Sequence, residues 1–166
     1  GSKGTEFFVS SVRHEDQEQV RSLFKDSYSG IFEEYPSVKK MVKTALKTDL
    51  NDKASEIMSD KNLSDCAIWN RYSQLGGAFW VVSEGLRSST CSSKIIGCIG
   101  VTAYSNVGPS DTSKPSIYTI NRFVIDAAVR GQGIGNALLN TAEDYVLWRE
   151  SNSPSSIIAT TPVVMQ

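Results

Sequence analysis

The feature that most constrains this fold is a glycine-rich turn that joins an apolar strand to an amphipathic helix. The turn reads Arg130-Gly-Gln-Gly-Ile-Gly135, with glycines at three alternate positions. Glycine permits unusual backbone angles and lets a ligand approach the main chain closely. The first N–H groups of the following helix have no partner within the helix, and the helix dipole attracts anions there. The sequence therefore predicts a phosphate or diphosphate site, to which Arg130 adds positive charge.

The glycine spacing argues against two well-known nucleotide motifs. A dinucleotide-binding turn requires Gly-x-Gly-x-x-Gly, whereas the glycines here are 131, 133 and 135. A Walker loop requires Gly-Lys-Ser/Thr after four intervening residues, but Gly135 is followed by Asn136 and Ala137. On spacing alone, a plain glycine turn with a surface arginine stays open as the alternative to an anion site.

Hydrophobic periodicity on both sides of the turn predicts a mixed α/β domain. Short apolar runs predict strands at residues 7–12, 78–83, 94–104, 117–125 and 156–161. Apolar residues three or four apart predict helices over about 16–32, from an N-cap at Ser37 through residue 47, at about 65–72, and after Gly135. We expect an antiparallel start to the sheet and a parallel strand–helix–strand unit at its finish.

Two expectations concern which residues these elements bury. The strand at 117–125 is apolar on both sides, which indicates a central strand. Its two faces are predicted to hold Ile117, Phe123 and Ile125 on one side, and Tyr118, Ile120 and Val124 on the other. The helix after the turn is predicted to bury a stripe of Ile134, Leu138, Ala142, Tyr145 and Trp148.

Length and composition favour a single globular domain over residues 3–166 and exclude several functional classes. With 17 basic and 18 acidic residues the net charge is −1, which argues against nucleic acid or an anionic membrane surface as partner. Three cysteines and one histidine predict neither a zinc site nor a disulfide scaffold, so no metal is expected. With no long apolar stretch or signal peptide, we expect no membrane insertion. Three cysteines without a close pair favour reduced thiols, and hence a cytoplasmic location.

The pattern Arg130-x-x-Gly133-x-Gly135, between a strand and an amphipathic helix, resembles the acyl-CoA-binding signature of the GCN5-related N-acetyltransferase (GNAT) superfamily. This resemblance implies a GNAT-like mixed sheet with a parallel β-α-β acyl-CoA-binding unit. It also implies that the chain, which stops at Gln166, lacks the last helix and two strands of that fold. A narrower resemblance, to the camello-like (N-acetyltransferase 8-like) branch, rests on Thr48–Asp52, Gly77–Val82 and Lys94–Val101.

The GNAT resemblance implies a role for each part of the motif. The main-chain amides of the turn would cradle the diphosphate of acetyl-CoA: Arg130, Gly131, Gln132, Gly133, Ile134 and Gly135. The strand edge at Phe123, Val124 and Ile125 would bind the pantetheine arm, and the N–H near Ile125 would polarise the thioester carbonyl. A primary amine of a small molecule or peptide would attack directly in a ternary complex, without a covalent enzyme intermediate.

The sequence does not identify the catalytic acid and base. The strand before the turn carries no acid, so Glu33, Glu34, Glu84 and Asp111 stay open as bases, while His14 is interpreted as a surface or capping residue. The tyrosine that the family places near the departing thiolate has no counterpart. An incomplete chain, a degenerate protein and completion by a partner chain in a homo-oligomer all stay open. Two alternatives to catalysis are an acyl-CoA-binding module without turnover and a phosphate-binding domain for nucleotides.

Overall fold

A computed structural model of the chain describes residues 5–53, 64–85, 93–104, 116–150 and 155–159. The first half of the chain is mainly helical, and the second half is richer in strands. The helices and strands are β1 Phe7–Ser11, α1 Gln17–Ser29, α2 Pro36–Lys47, α3 Ala67–Gln74, β2 Ala78–Glu84, β3 Ile95–Tyr104, β4 Ser116–Ile125, α4 Ile134–Arg149 and β5 Ser155–Ala159. The predicted loop over 105–116 and the candidate base Asp111 lie, apart from residue 116, outside the described residues.

One five-stranded sheet has the strand order β1-β2-β3-β4-β5. The first four strands pair antiparallel, and β5 pairs parallel to β4 after the crossover through α4. This arrangement confirms the predicted mixed sheet with an antiparallel start and a parallel finish. It also confirms β4 as a central strand, because β4 pairs with a neighbour on each side.

Helices cover both faces of the sheet. The sheet therefore separates the core into two clusters. The first cluster lies under α1, α2 and α3 and includes Val20, Phe24, Val42, Ile68, Phe79 and Val81. The second lies under α4 and includes Trp80, Ile99, Tyr118, Leu138, Ala142 and Val146. Burial of these apolar side chains from water is the main stabilising contribution to such a three-layered domain.

A β-bulge interrupts β4 just before its C-terminal end. Cys98 of β3 pairs with Val124, whereas Gly100 pairs with Asn121. Two residues of β4, 122 and 123, therefore lie opposite the single residue 99 of β3. Arg122 adopts φ +53°, in the left-handed region that non-glycine residues rarely occupy.

The bulge makes the predicted faces of β4 wrong. Tyr118 and Ile120 pack in the cluster under α4, but Val124 packs in the cluster under α1 and α2, and Ile125 returns to the α4 side. Since side chains alternate along a strand, one extra residue exchanges the two faces from that point onward. Val124 therefore does not share a face with Tyr118 and Ile120.

Two helix predictions also need correction. The helix α2 begins at Pro36 with Tyr35 before it, so Ser37 lies inside the first turn rather than at the N-cap; proline suits this first position because its missing N–H is not needed there. In α4, Trp148 is 73% exposed, because it lies about 200° around the helix from Val146. The stripe that α4 buries consists of Ile134, Leu138, Ala142 and Val146.

Membrane and metal features can be assessed for the described part of the chain. No helix there is long and apolar enough to cross a membrane. Nor does any group of three or more His, Cys, Asp or Glu side chains in those residues have the arrangement of a metal site. Cys66 and Cys98 are both buried as free thiols.

Candidate functional site

The glycine-rich turn connects β4 to α4 through a left-handed backbone. Gly131 and Gly133 each have φ +81°, and α4 begins directly afterwards at Ile134. Any other residue would be strained there by about 1–2 kcal/mol, because its Cβ would approach the following carbonyl oxygen. A Cβ added to either glycine would meet no atom of the described chain within 4 Å. The space beside the turn is therefore open.

The main-chain N–H groups of this turn are available to a ligand. Residues 131–136 donate no main-chain hydrogen bond within the described part of the chain, and the first helical bond runs from Ala137 N to Gly133 O at 3.1 Å. Residues 130–133 are exposed. Six unpaired donors at the positive end of a 16-residue helix form an environment that favours an anion.

A cleft of about 220 Å³ lies beside the turn, between β4 and α1. Four of the predicted site residues line it: Phe123, Val124, Ile125 and Arg130. The phenyl ring of Phe123 also passes 3.5 Å from the point where a Cβ on Gly135 would lie. The turn and the cleft are thus adjacent parts of one surface.

Main-chain groups of β4 face this cleft at a point where, within the described residues, the strand pairs on one side only. The described pairing of β4 with β5 ends at Ile120 and Ala159. On the other side, Asp126 donates its N–H to the carbonyl of Ile96 at 2.8 Å. Hydrogen-bonded and non-hydrogen-bonded pairs alternate in an antiparallel ladder, so the N–H and C=O of Ile125 point away from β3. Arg130 accordingly reaches the Ile125 carbonyl, with Nε at 3.4 Å.

The opposite wall of the cleft comes from α1, through Ser27 and Tyr28. The Ser27 hydroxyl donates to the carbonyl of Leu23 at 2.7 Å. Tyr28 is 8% exposed and its ring packs edge-to-face on Phe24, while its hydroxyl has no hydrogen-bond partner among the described residues. Burial raises the pKa of the Tyr28 hydroxyl, although the charge of Arg122 opposes this. The phenol therefore stays protonated at neutral pH and is able to donate to a ligand.

An ion pair lies behind the cleft at the bulge of β4. Arg122 donates from Nε to Asp49 Oδ2 at 2.8 Å and from Nη2 to Asp49 Oδ1 at 2.9 Å. The Tyr72 hydroxyl donates to Asp49 Oδ2 at 2.7 Å, and the guanidinium also lies 5.3 Å above the centre of the Phe24 ring. The Asp49 and Arg122 side chains are only 21% and 24% exposed, respectively. Such a partly buried, two-point pair is both stronger and more directional than a surface pair.

Comparison with known families agrees with this geometry. The acetyltransferase (GNAT) domain model matches residues 76–161, more than half of the chain. This chain belongs to the GNAT acetyltransferase family. The family match spans β2 to the end of β5, and so includes the strand, the turn and the helix of the site. No curated protein matches this chain. The comparisons do not support the narrower resemblance to the camello-like branch.

Solved structures share the GNAT fold at low sequence identity. A GCN5-related N-acetyltransferase from Ralstonia eutropha JMP134 has a TM-score of 0.58 at 14% identity, covering 96% of this chain and 86% of its own. The glucosamine-6-phosphate N-acetyltransferase from Arabidopsis thaliana has a TM-score of 0.53 at 13% identity, with coverages of 96% and 84%. An aminoglycoside N-acetyltransferase in complex with CoA has a TM-score of 0.52 at 13% identity, with coverages of 99% and 82%. These similarities confirm the predicted GNAT fold.

Three of the carboxylates considered as bases, Glu33, Glu34 and Glu84, do not line the cleft of this GNAT domain. Glu33 and Glu34 are exposed on the turn after α1, and Glu84 ends β2. The His14 ring contacts the Asp65 carbonyl oxygen at 3.2 Å and the Gln17 side chain at 3.3 Å. We therefore assign none of these four residues to catalysis.

Sequence reasoning missed four residues of the GNAT site: Ser27, Tyr28, Asp49 and Arg122. The first two belong to the apolar repeat that predicts α1, where a serine in a buried stripe is a weak sign of a polar surface. Arg122 carried the clearer signal, since a charge within a central apolar strand requires a partner. Nothing local identified Asp49 as that partner, because 73 positions separate the two residues.

Asp49 makes the stability of the GNAT domain sensitive to acid. Burial raises the pKa of its carboxyl, but the hydrogen bonds and charge of Arg122 and the bond from Tyr72 outweigh burial and hold the pKa below its usual value. A carboxyl with a lowered folded pKa stabilises the fold above the unfolded pKa, and this contribution is lost as pH falls through the folded pKa. We expect Asp49→Asn to be less stable than the natural protein at pH 7, with a gap that narrows below about pH 4. Urea unfolding at pH 7 and pH 3 measures the gap; a constant gap would contradict the assignment.

Proposed function

We propose that this GNAT domain is an N-acetyltransferase that transfers an acetyl group from acetyl-CoA to a primary amine in a ternary complex. The observation that carries the proposal is the run of main-chain N–H groups at residues 131–136 that have no partner among the described residues, beside the open space of the turn. This donor set fits a diphosphate, which has several oxygens to accept hydrogen bonds at once. Arg130, exposed at the start of the turn, adds charge on the same side.

The edge of β4 suits the extended arm of acetyl-CoA. A peptide-like chain can add to an exposed strand edge through main-chain hydrogen bonds, and the pantetheine arm carries two amides of this kind. The Ile125 N–H would then donate to the thioester carbonyl and stabilise the negative charge that develops on its oxygen. One preorganised donor of this type contributes roughly 3 kcal/mol to transition-state stabilisation.

Direct attack by the acceptor explains the chemistry without an enzyme nucleophile. The neutral amine attacks the thioester carbonyl carbon, the C–S bond breaks, and CoA leaves as the thiol while the amine gives up one proton. Cys98, a thiol beside the bulge, is no alternative nucleophile because burial raises its pKa to about 12 and its Sγ lies 3.2 Å from the Arg122 carbonyl oxygen. A protonated, buried thiol is inert.

The acceptor class proposed is a small-molecule or peptide amine. Two similar structures are named as a glucosamine-6-phosphate N-acetyltransferase and an aminoglycoside N-acetyltransferase, which supports an amine acceptor in general terms. The cleft itself offers the Tyr28 hydroxyl and the Phe123 ring to such a molecule. The camello-like resemblance plays no part in this proposal.

A second candidate is a module that holds acyl-CoA without turnover. The observation that favours it is the lining of the cleft, in which the six residues Ser27, Tyr28, Phe123, Val124, Ile125 and Arg130 include neither a carboxylate nor a histidine. A catalyst without a base in contact with the amine depends on the neutral fraction of the acceptor or on a water chain.

Calorimetric titration with acetyl-CoA, followed by a thiol-release assay, tests both candidates. We expect acetyl-CoA to bind one molecule per domain and to resist displacement by ATP, with thiol released when a suitable amine from a panel is added. Binding without thiol release from any amine in a broad panel would favour the holding module. Absence of acetyl-CoA binding, or displacement by ATP but not by CoA, would overturn the proposal.

A further inference from the structure

The strained residue of the β4 bulge is held from outside the sheet. Arg122 keeps its left-handed backbone while its guanidinium is fixed at two points by the Asp49 carboxylate. Strained backbone of this kind persists where the surrounding contacts over-determine it, and it concentrates at functional sites. The bidentate contact is one of the contacts that over-determine the backbone at the bulge.

The segment that carries Asp49 is itself fixed by converging hydrogen bonds. Two arginines from neighbouring helices donate to four of its main-chain carbonyls: Arg21 to Leu46 and Leu50, and Arg71 to Asn51 and Lys53. Leu50, the residue after Asp49, is fully buried in the core. The carboxylate is thus held by α1 and α3 through the segment 46–53, and it passes that constraint to Arg122.

The bulge sets the direction of the residues that follow it. Phe123 is the second residue of the bulge, and Val124 and Ile125 complete the wall of the cleft. If Arg122 relaxed to an ordinary extended conformation, the strand would lose the extra residue, and the alternation after it would reverse. The Ile125 N–H, which points away from β3, would then turn towards β3.

We propose that Asp49 is a positioning residue for the acyl donor: by clamping Arg122 it keeps the bulge formed and the main chain of 123–125 directed into the cleft. This inference rests on the proposed function, in which that main chain binds the thioester arm. Asp49 touches neither substrate in this account and acts through Arg122. An ion pair that merely adds stability would not direct this main chain.

A second substitution to glycine tests the clamp, because glycine adopts φ +53° without strain. We expect Asp49→Asn to weaken acetyl-CoA binding about tenfold, and Asp49→Asn with Arg122→Gly to recover to within about threefold of the natural protein. In turnover, Asp49→Asn should raise KM for acetyl-CoA while leaving KM for the amine unchanged. Asp52→Asn is the matched control, since Asp52 forms a looser pair with Arg21 at 3.9 Å and does not contact the bulge.

Each outcome decides the question. Unchanged affinity in Asp49→Asn, or a double variant as weak as Asp49→Asn alone, would show that the pair adds only stability and would overturn the proposal. All affinities are measured at a temperature at which circular dichroism shows that every variant is folded. A loss of binding is then not due to unfolding.

A readout without ligand separates this inference from the proposed function. The amide NMR signals of 123–125 should shift in Asp49→Asn and return towards their natural positions in the double variant. Shifts that return, together with no acetyl-CoA binding by the natural protein, would support the clamp as geometry and overturn its role in donor binding. Signals that do not move in Asp49→Asn would overturn the clamp itself.

Discussion

Replacing Gly133 by glutamate is expected to reduce the affinity for acetyl-CoA by about a hundredfold or more, a loss of roughly 2.8 kcal/mol. Gly133 has φ +81° and immediately precedes α4, so any side chain is strained there. The carboxylate would also lie beside the N–H groups of the turn, where it would occupy the donors that we propose bind the diphosphate and would repel its charge. Isothermal titration calorimetry measures the affinity directly.

The matched control is Gly85→Glu. Gly85 has φ +72° and, like Gly133, open space where a Cβ would lie, but it follows β2 rather than β4. Its variant carries the same backbone strain and the same added charge without affecting the turn. Equal affinities for Gly133→Glu and the natural protein would show that the turn is not the anion site. A comparable loss in Gly85→Glu would assign the effect to strain or net charge instead.

Replacing Gly77 by alanine is expected to lower the free energy of unfolding by about 3 kcal/mol or more. A Cβ on Gly77 would overlap the carbonyl oxygen and carbon of Val101, and would come within 2.9 Å of the Thr102 Cα. These are main-chain atoms of β3, so no side chain can rotate away to make room. The melting temperature of a domain of this size should fall by about 6–12 °C.

Gly30→Ala is the control for this change, measured by the same urea and thermal unfolding. Gly30 lies at the end of α1 with φ −64°, and a Cβ there would meet nothing within 4 Å of the described chain. Alanine at such a position is neutral or stabilises by about 0.4–1 kcal/mol, because it restricts the unfolded chain. If both alanine variants unfold alike, Gly77 is not in close contact with the main chain of β3.

The elements of this domain could be predicted because their signals are local. The apolar repeat of α1, the continuous apolar runs of β2 and β3, and the alternate glycines of the turn are each contained within a short stretch of sequence. The exposed N–H groups followed from the same local reasoning, since a helix leaves its first donors unpaired whatever its surroundings. The fold and the donor turn therefore came from periodicity and glycine placement.

The bulge and the clamp could not be predicted in the same way. A bulge is a relation between two strands, two residues against one, and the sequence of β4 alone reads as regular alternation. The Asp49–Arg122 pair joins residues 73 positions apart, and the cleft needs α1 to pack on β4. These features depend on tertiary packing, which pattern reasoning along one chain does not contain.

Any redesign of β4 must treat the residues before and after Arg122 as two segments whose side chains alternate in opposite phase. A substitution chosen by counting odd and even positions from Tyr118 is correct as far as Asn121 and inverted beyond the bulge. Alignments of distant homologues carry the same hazard, because a relative without the extra residue would need a gap at this point for inward and outward positions to correspond.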